Sequence, residues 1–370
     1  MPHRINVLII DDSVSARRVL VDTLRPHPDI AIFGEAGDAF EAARMMRDRL
    51  PDVILLDLEL PKMDGLTLLS KIMAQHPIPV IICSSHSEAG SRIAMRALEA
   101  GAVDVIAKSS LGRGAAHEAQ VLLGDKVVAA ALSRQKRTPR GLPMRKVPAP
   151  MTPGPKHTAD VILPPPRPGG VVPHTMQPLI AIGASTGGTE ALRDLLPQLG
   201  RGMPPVVVTQ HMPENFTAAF AARLNTLCEA EVREATNGDR PQRGQIFVAP
   251  GNRHMILRRQ GSGYRIEIVD GPQVSRHRPS VDVLFRSVAI AAGPAAIGVL
   301  LTGMGDDGAR SMLELKAAGA ETIAQDEPTS VVWGMPGEAV RLGAARRVVP
   351  LNQIAPELAR ALHMRDVARS

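Results

Sequence analysis

The chain of 370 residues is poor in cysteine and in aromatic side chains. Its two cysteines, Cys83 and Cys228, cannot form a disulfide framework. Both lie in apolar segments, so we interpret them as buried thiols in a reducing compartment. Aromatic residues make up only 2% of the sequence, which leaves few side chains for stacking on nucleic-acid bases.

Long hydrophobic runs are absent as well. The apolar run near the amino terminus, Ile5–Ile10, ends at Asp11, and the later stretch 288–302 is interrupted by two glycines and a proline. Both are too short to act as a signal peptide or to cross a membrane. We therefore expect a soluble, cytoplasmic protein that does not insert into a membrane.

The formal net charge of +6 suggests an anionic partner, but the position of the charge argues against nucleic acid. Eight basic residues and one acid lie between Arg134 and Pro178, so this stretch carries about +7 and the remainder about −1. Residues 138–178 also hold 12 of the 32 prolines. We predict a basic, proline-rich linker over residues 126–178 between two folded domains, 1–125 and 179–370, and no nucleic-acid partner.

Short apolar runs alternate with helical patterns on both sides of this linker. Five βα repeats in the first domain predict a doubly wound, flavodoxin-like α/β fold with a five-stranded parallel sheet. From Leu179 the alternation resumes and predicts a second doubly wound α/β domain with a mostly parallel sheet. Residues 253–258 and 264–269 flank a glycine-rich turn and predict a β-hairpin inserted in this second domain.

Polar side chains follow the predicted strands of the first domain. They are Asp11, Asp12, Asp57, Ser84 and Lys108. Because the carboxyl ends of parallel strands meet at one crevice, these side chains should lie together. Three carboxylates in a small space favour Mg²⁺, and an aspartate beside that ion can accept a phosphoryl group. A single acid would more simply be a helix cap, but five compatible residues favour the cluster.

The turn from Asp57 to Gly65 resembles the phosphorylation loop of response-regulator receiver domains, and the likeness extends over residues 1–125. The resemblance implies that a partner histidine kinase phosphorylates Asp57. It also implies Mg²⁺ bound by Asp12 and Asp57 with Asp11 nearby, and Ser84 and Lys108 as contacts of the phosphoryl group.

In the second domain, Gly183–Gly188 matches the G-x-S-x-G nucleophile elbow between a predicted strand and a predicted helix. Such a turn would expose the Ser185 hydroxyl, and backbone N–H groups at the helix start can stabilise an oxyanion. The same glycines could instead bind a phosphate, as in a dinucleotide site. The spacing differs from G-x-G-x-x-G, however, and the next strand ends in His211 rather than in an acid.

Two further segments should meet Ser185 at the same edge of the sheet. His211 ends the neighbouring strand, and a glycine-rich turn after a later strand carries Asp306 and Asp307. A serine hydroxyl needs a base, and the base works best when a carboxylate fixes its tautomer. One aspartate can fill that role while the other caps the following helix. These residues predict a serine hydrolase.

Residues 179–363 resemble the catalytic domain of the chemotaxis protein-glutamate methylesterases, the CheB family. The likeness rests on six ordered segments: Gly183–Gly188, Gln210–Pro213, Ala249–Met255, His277–Asp282, Leu301–Gly308 and Asp326–Pro336. The resemblance implies Ser185 as nucleophile, His211 as base and Asp307 as the orienting acid. It also implies that Thr186 and Met304 lie beside the developing oxyanion.

The same resemblance implies the substrate and the regulation. The substrates would be glutamyl methyl esters on the cytoplasmic helices of chemoreceptors, with deamidation of receptor glutamines as a second activity. The enzyme would work in the cytoplasm at chemoreceptor clusters. Phosphorylation of Asp57 would relieve occlusion of the active site by the receiver domain.

Two alternatives remain open at this point. His254 and His277 either line the substrate groove or have structural roles. A zinc site built from His211, His254, His277 and Cys228 matches no local ligand spacing, so we expect no cofactor in the catalytic domain. The non-enzymatic alternative is a phosphorylation-regulated adaptor that binds a nucleotide or a receptor through Gly183–Gly188.

Overall fold

The computed structural model of the chain describes residues 4–85, 87–111, 116–137, 156–166 and 176–369. The chain divides into two compact units, Met1–Gly154 and Pro155–Ser370. Each unit has its own sheet and its own helices, as the two stretches of βα alternation predict.

The first unit contains a five-stranded sheet in the order β2-β1-β3-β4-β5, in which every paired strand is parallel. This is the flavodoxin-like strand order, and it confirms the predicted fold. The strands are β1 (Ile5–Ile10), β2 (Ile30–Ala36), β3 (Val53–Leu56), β4 (Val80–Ser84) and β5 (Asp104–Ala107). The helices are α1 (Val14–Leu24), α2 (Ala39–Met45), α3 (Gly65–Gln75), α4 (Glu88–Glu99) and α5 (Ala116–Arg137).

Local sequence explains where the helices of this unit begin. Helices α1 to α4 each follow a serine or aspartate whose side chain accepts a hydrogen bond from the first helical turn. These caps are Ser13, Asp38, Asp64 and Ser87. The strands β3, β4 and β5 are buried at every position, as expected for parallel strands covered on both faces.

The boundaries of the linker differ from those drawn on composition. Helix α5 runs through residue 125 to Arg137 and packs against α1, so the first unit continues past the predicted end of the receiver domain. The reason is that Val121, Leu123 and Val127 are buried in an unbroken helical pattern. Of the predicted linker, residues 138–155 and 167–175 lie outside the described residues.

The second unit contains a seven-stranded sheet in the order β14-β13-β12-β6-β7-β9-β8, again with every pair parallel. Its strands are β6 (Leu179–Ala184), β7 (Val206–Gln210), β8 (Glu231–Glu234), β9 (Gln245–Val248), β12 (Ala296–Leu300), β13 (Glu321–Gln325) and β14 (Arg347–Val349). The predicted hairpin is confirmed as a separate antiparallel pair, β10 (His254–Gln260) and β11 (Gly263–Val269).

In the described part of this unit, the α-helices are α6 (Gly188–Leu195), α7 (Phe216–Asn225), α8 (Val281–Ala291), α9 (Ala309–Ala317), α10 (Met335–Arg341) and α11 (Leu351–Arg369). Strand order reverses between β6 and β12, because the chain proceeds from β6 to β7 on one side and from β12 to β13 on the other. Ligands of open α/β sheets bind outside the carboxyl ends of strands at such a point. The fold therefore directs attention to the residues that follow β6, β7 and β12.

Candidate active sites

In the first unit, three polar side chains meet where β1, β3 and β5 end. Asp11, Asp57 and Lys108 directly follow these strands. The Lys108 Nζ atom lies 2.7 Å from Asp11 Oδ2 and 2.6 Å from Asp57 Oδ2. The predicted convergence of strand ends is thus present, with the lysine between two buried carboxylates.

The carboxylates of this cluster fit a hard divalent cation. One oxygen from each of Asp11, Asp12 and Asp57 lies within 4.8 Å of the other two. Carboxylate oxygens are the ligands that Mg²⁺ prefers, and the exposed Asp12 leaves room for the waters that this ion retains. Burial raises the pKa of the Asp57 carboxyl, while its hydrogen bond from Lys108 acts in the opposite direction. Three carboxylates share one lysine, so the cluster can accept a further cation.

Ser84 lies at the same edge of the sheet. It ends β4 and is the register partner of Ala107, the residue before Lys108. Its side chain is buried, and its Oγ atom is 3.5 Å from the carbonyl oxygen of Gly90. All five receiver residues predicted from the sequence therefore lie at the carboxyl ends of β1, β3, β4 and β5.

In the second unit, Ser185 occupies a tight turn between β6 and α6. Its N–H donates to the carbonyl of Thr302 over 3.0 Å, and its own carbonyl accepts from Gly188 N at 2.7 Å. Gly187 has φ +79°, a conformation that side chains rarely adopt. A Cβ on Gly183 would lie 2.3 Å from a Val281 methyl group, so glycine is also required there for packing.

His211 connects Ser185 to Asp307 by hydrogen bonds. Its Nδ1 atom is 3.1 Å from Ser185 Oγ, and its Nε2 atom is 2.7 Å from Asp307 Oδ2. All three side chains are buried, with Asp307 only 1% exposed. Because a carboxylate accepts from Nε2–H, Nδ1 is left without a proton and can accept the one on the serine hydroxyl.

The Asp307 carboxylate is held by the amino-terminal end of α8. Its Oδ1 atom accepts from Ser280 Oγ at 2.8 Å and from Asp282 N at 3.0 Å, and its Oδ2 atom accepts from Val281 N at 2.7 Å. Burial raises the pKa of this carboxyl, while His277 and the α8 donors oppose that rise. Free N–H groups and the helix dipole favour an anion at this position.

Asp282 makes the reciprocal contact with α9. Its Oδ1 atom accepts from Ser311 N, in the first turn of α9, at 2.9 Å. The start of α8 thus binds Asp307, which lies in the turn before α9, and the start of α9 binds Asp282, which lies on α8. Burial, followed by the nearby charge of Asp307, raises the pKa of Asp282 to about 7. This role of Asp282 was not predicted from the sequence, although a serine before an apolar helix, here Ser280, is a typical N-cap pattern.

Gln210 is a second site residue that the sequence analysis missed. Its Nε2 atom donates to the carbonyl of Ser185 over 2.9 Å and so supports the elbow from the neighbouring strand. Its position directly before His211, at the end of a buried strand, was the available sign.

The predicted oxyanion residues are Thr186 and Met304. Thr186 follows Ser185, and the Thr186 carbonyl accepts from Thr302 Oγ1 at 3.0 Å. Gly303, which precedes Met304, is packed so tightly that a Cβ there would lie 2.7 Å from Ser185 Cβ. The backbone at Met304 is therefore next to the serine. Asp306, by contrast, forms an ion pair with Lys156 at 2.6 Å.

The four residues of the alternative zinc site are not brought together. His277 stacks on His211, with ring centroids 3.6 Å apart and the planes 6° from parallel. The fully buried His254 instead donates from Nε2 to Pro272 O and accepts from Ser280 N. Among the described residues, the group of possible metal ligands at this site contains His211, His277 and Asp307 but neither His254 nor Cys228.

The fold and the sites define a class of protein with a receiver unit joined to an α/β unit of hydrolase type. Residues 7–114 match the response regulator receiver domain family, and residues 180–358 match the CheB methylesterase family. A protein-glutamate methylesterase/protein-glutamine glutaminase 2 from Rhodospirillum rubrum is 51% identical over 98% of this chain and 99% of its own length. A protein-glutamate methylesterase/protein-glutamine glutaminase 5 from Anaeromyxobacter dehalogenans is 55% identical over 97% of this chain and 99% of its own length.

The chain belongs to the CheB protein-glutamate methylesterase/protein-glutamine glutaminase family. Among solved structures, the Thermotoga maritima CheB methylesterase catalytic domain is 35% identical and covers 49% of this chain and 97% of its own, with a TM-score of 0.48. No helix in the described part of the chain is both long enough and apolar enough to cross a bilayer.

Proposed function

We propose that the second unit hydrolyses glutamyl methyl esters on chemoreceptors and deamidates receptor glutamines. The observation that carries the proposal is the hydrogen-bonded series Ser185–His211–Asp307 at the point where strand order reverses. The names of full-length relatives at about half identity support the same two substrates.

The geometry supports an acyl-transfer mechanism. Ser185 Oγ attacks the side-chain carbonyl carbon while His211 Nδ1 takes the hydroxyl proton, and Asp307 stabilises the resulting imidazolium. The bond between the carbonyl carbon and the methoxy oxygen then breaks, and the methoxy group leaves as methanol with the proton from His211. Water hydrolyses the acyl-enzyme with His211 again as base. For a glutamine substrate the leaving group is ammonia, and the acyl-enzyme is the same.

The developing oxyanion needs donors that point at it before the reaction starts. Backbone N–H groups beside Ser185, at Thr186 and Met304, are the proposed donors. The close approach of Gly303 to Ser185 supports this assignment, because it brings the Met304 peptide next to the nucleophile.

In the first unit, Asp57 is the proposed phosphate acceptor and a histidine kinase is the proposed donor. Asp11, Asp12 and Asp57 would hold Mg²⁺, which would neutralise charge on the transferring phosphoryl group. Lys108 would then pair with the phosphate, and Ser84 would donate a hydrogen bond to it. In the proposed regulation, the unphosphorylated first unit occludes Ser185 and phosphorylation relieves that occlusion.

A crossed pair of variants in the full-length chain tests both assignments. Ser185→Ala should abolish methanol release from methylated receptor membranes but still incorporate phosphate from a small phosphodonor. Asp57→Asn should lose phosphate incorporation and the stimulation that the phosphodonor gives. Methanol is measured by diffusion from radiolabelled membranes and phosphorylation by gel mobility.

Each variant should keep the activity that the other one loses, and thermal unfolding establishes that the altered unit of each variant is folded. Methanol release by Ser185→Ala at the wild-type rate would remove Ser185 from the nucleophile role. If wild-type protein also released no methanol, the adaptor alternative would stand in place of the esterase.

A further inference from the structure

The last part of the predicted linker is packed onto the second unit. Residues 156–163 include a short 3₁₀ turn, Ala159–Val161, and we call this segment the strap. Ala159 and Leu163 are each only 3% exposed and share a small apolar cluster with Ile256, Val274 and Val283. Composition alone assigned these residues to a solvated tether, yet two of their side chains are part of a core.

Arg286 on α8 anchors the strap by polar contacts. Its side chain is 8% exposed, and its Nη1 atom donates to Asp160 Oδ1 over 2.5 Å and to the Leu163 carbonyl over 3.0 Å. The remaining guanidinium donors bind Glu314. A buried cation is costly unless its donors are paired, so the strap supplies acceptors that α8 needs.

The strap also touches the loop that follows β11. Ile162 packs over Gly271 so closely that a Cβ there would lie 2.4 Å from Ile162 Cδ1. The carbonyl of His157 accepts a hydrogen bond from Ser275 N at 2.9 Å. The strap is therefore bound to both ends of the 271–275 segment.

Ser275 uses all three of its polar groups in different directions. Its N–H binds the strap, its Oγ donates to Asp282 Oδ2 over 3.0 Å, and its carbonyl accepts from His277 Nδ1 at 2.8 Å. Ser275 and Arg276 have φ values of +49° and +67°, which non-glycine residues rarely adopt. Such a turn persists only where surrounding contacts hold it.

Two short routes lead from Ser275 to the proposed catalytic residues. On one side His277 stacks on the ring of His211. On the other side the backbone N–H of Asp282 donates to Asp307 Oδ1. One turn thus braces both the proposed base and the proposed orienting acid.

We propose that residues 156–163 are a positioning strap of the active site, which acts through the Ser275 turn on His211 and Asp307. The inference rests on the proposed function, because it assigns the strap to the same reaction. None of its residues touches Ser185, so they are positioning residues and not catalytic ones. Since the strap is also the chain that enters the second unit from the linker, a pull on the linker would reach the active site through it.

The test replaces residues 156–163 with a glycine-serine sequence of equal length in the full-length chain. The matched control replaces residues 143–150 in the same way. The strap variant should lose about tenfold or more in kcat for methanol release, because small displacements of reacting groups are costly. The pH dependence of kcat should also shift, since the stacked neighbour of the proposed base is no longer held.

Amide hydrogen exchange separates positioning from general destabilisation. In the strap variant the Ser275 amide should exchange at least about tenfold faster, while amides of β6 and β12 keep their wild-type protection. The control variant should keep the wild-type kcat, pH profile and exchange pattern. Phosphate incorporation by the first unit should be the same in both variants.

A single substitution tests the turn itself. Ser275→Gly tolerates the positive φ and keeps both backbone contacts, so it removes only the hydroxyl bound to Asp282. It should lower kcat, whereas Ser275→Asn, which tolerates the same φ and carries a donor, should restore part of the loss.

The proposal would be overturned by a strap variant whose Ser275 amide exchanges faster while its kcat and pH profile are unchanged. The strap would then be an inert anchor. Failure of the proposed function itself looks different, because wild-type protein would release no methanol while the strap-dependent protection of Ser275 would still be measurable.

Discussion

Asp307 needs four acceptor positions, and only a carboxylate provides them. Each of its oxygens accepts from a backbone N–H, one from Asp282 and the other from Val281. In Asp307→Asn, the amide NH₂ group would face one of these N–H donors in either orientation. If it faced His211, it would also put the imidazole proton on Nδ1, which points at Ser185.

We therefore expect Asp307→Asn to lower kcat about 10³- to 10⁴-fold through the wrong tautomer, and to lower the free energy of unfolding by about 1–3 kcal/mol. Methanol release and urea unfolding measure the two effects. Asp306→Asn is the matched control, because that neighbouring acid is part-exposed and its carboxylate forms an ion pair with Lys156. It should stay within a few-fold of wild type, and the reverse ranking would assign the acid to Asp306.

The amino-terminal ends of α8 and α9 bind the carboxylates of Asp307 and Asp282, respectively. These buried carboxylates make the stability of the region depend on pH. The pKa of Asp282 is raised to about 7, well above its value in an unfolded chain. The folded state then binds the proton more tightly than the unfolded state. The stability that this provides is complete below about pH 4 and is lost as the pH rises through 7.

Asp282→Asn keeps the shape of the side chain and removes the titration. The variant should therefore become more stable relative to wild type between pH 5 and pH 8, seen as a larger free energy of unfolding relative to wild type in urea unfolding. Asp194→Asn, at an exposed acid on α6, should show no such trend. A constant difference between Asp282→Asn and wild type across this range would mean that Asp282 is ionised throughout.

Much of the order and position of the strands and helices could be predicted from the sequence, because buried parallel strands are short apolar runs. The residues expected at strand ends, Asp11, Asp57, Ser185 and His211, directly follow β1, β3, β6 and β7, so the convergence of Ser185 and His211 followed from sheet geometry. Strand β8 has no apolar run that would predict it, because Val232 is its one buried residue at an edge of the sheet. Helix α10 has no clear helical pattern, because its first turns contain Pro336 and Gly337.

Other features depend on tertiary contacts that no local pattern encodes. The N–H groups of α8 hold the Asp307 carboxylate in place. This carboxylate binds His211 Nε2, and so it is Nδ1 that faces Ser185. The stacking of His277 depends on a turn with positive φ at Ser275. The sequence of the strap is typical of a linker. Its burial depends on only two apolar side chains, Ala159 and Leu163, and on an arginine distant in sequence, Arg286.

At the scale of the whole molecule, the boundary of the catalytic unit decides how regulation should be tested. The chain divides at Gly154, whereas the composition placed the start of the catalytic domain at residue 179. A truncation at 179 removes the first unit and the strap together. It would therefore combine two opposite effects, release of the proposed occlusion and loss of active-site positioning.

Two truncations separate these effects. A chain of residues 155–370 should release methanol faster than the unphosphorylated full-length protein, because the occluding unit is gone and the strap remains. A chain of residues 179–370 should be slower than the 155–370 chain by about the tenfold factor expected for strap replacement. Far-UV circular dichroism and thermal unfolding establish that both chains are folded. If the 155–370 chain were no faster than the unphosphorylated full-length protein, occlusion would be wrong, and phosphorylation would have to act by stimulating the second unit instead.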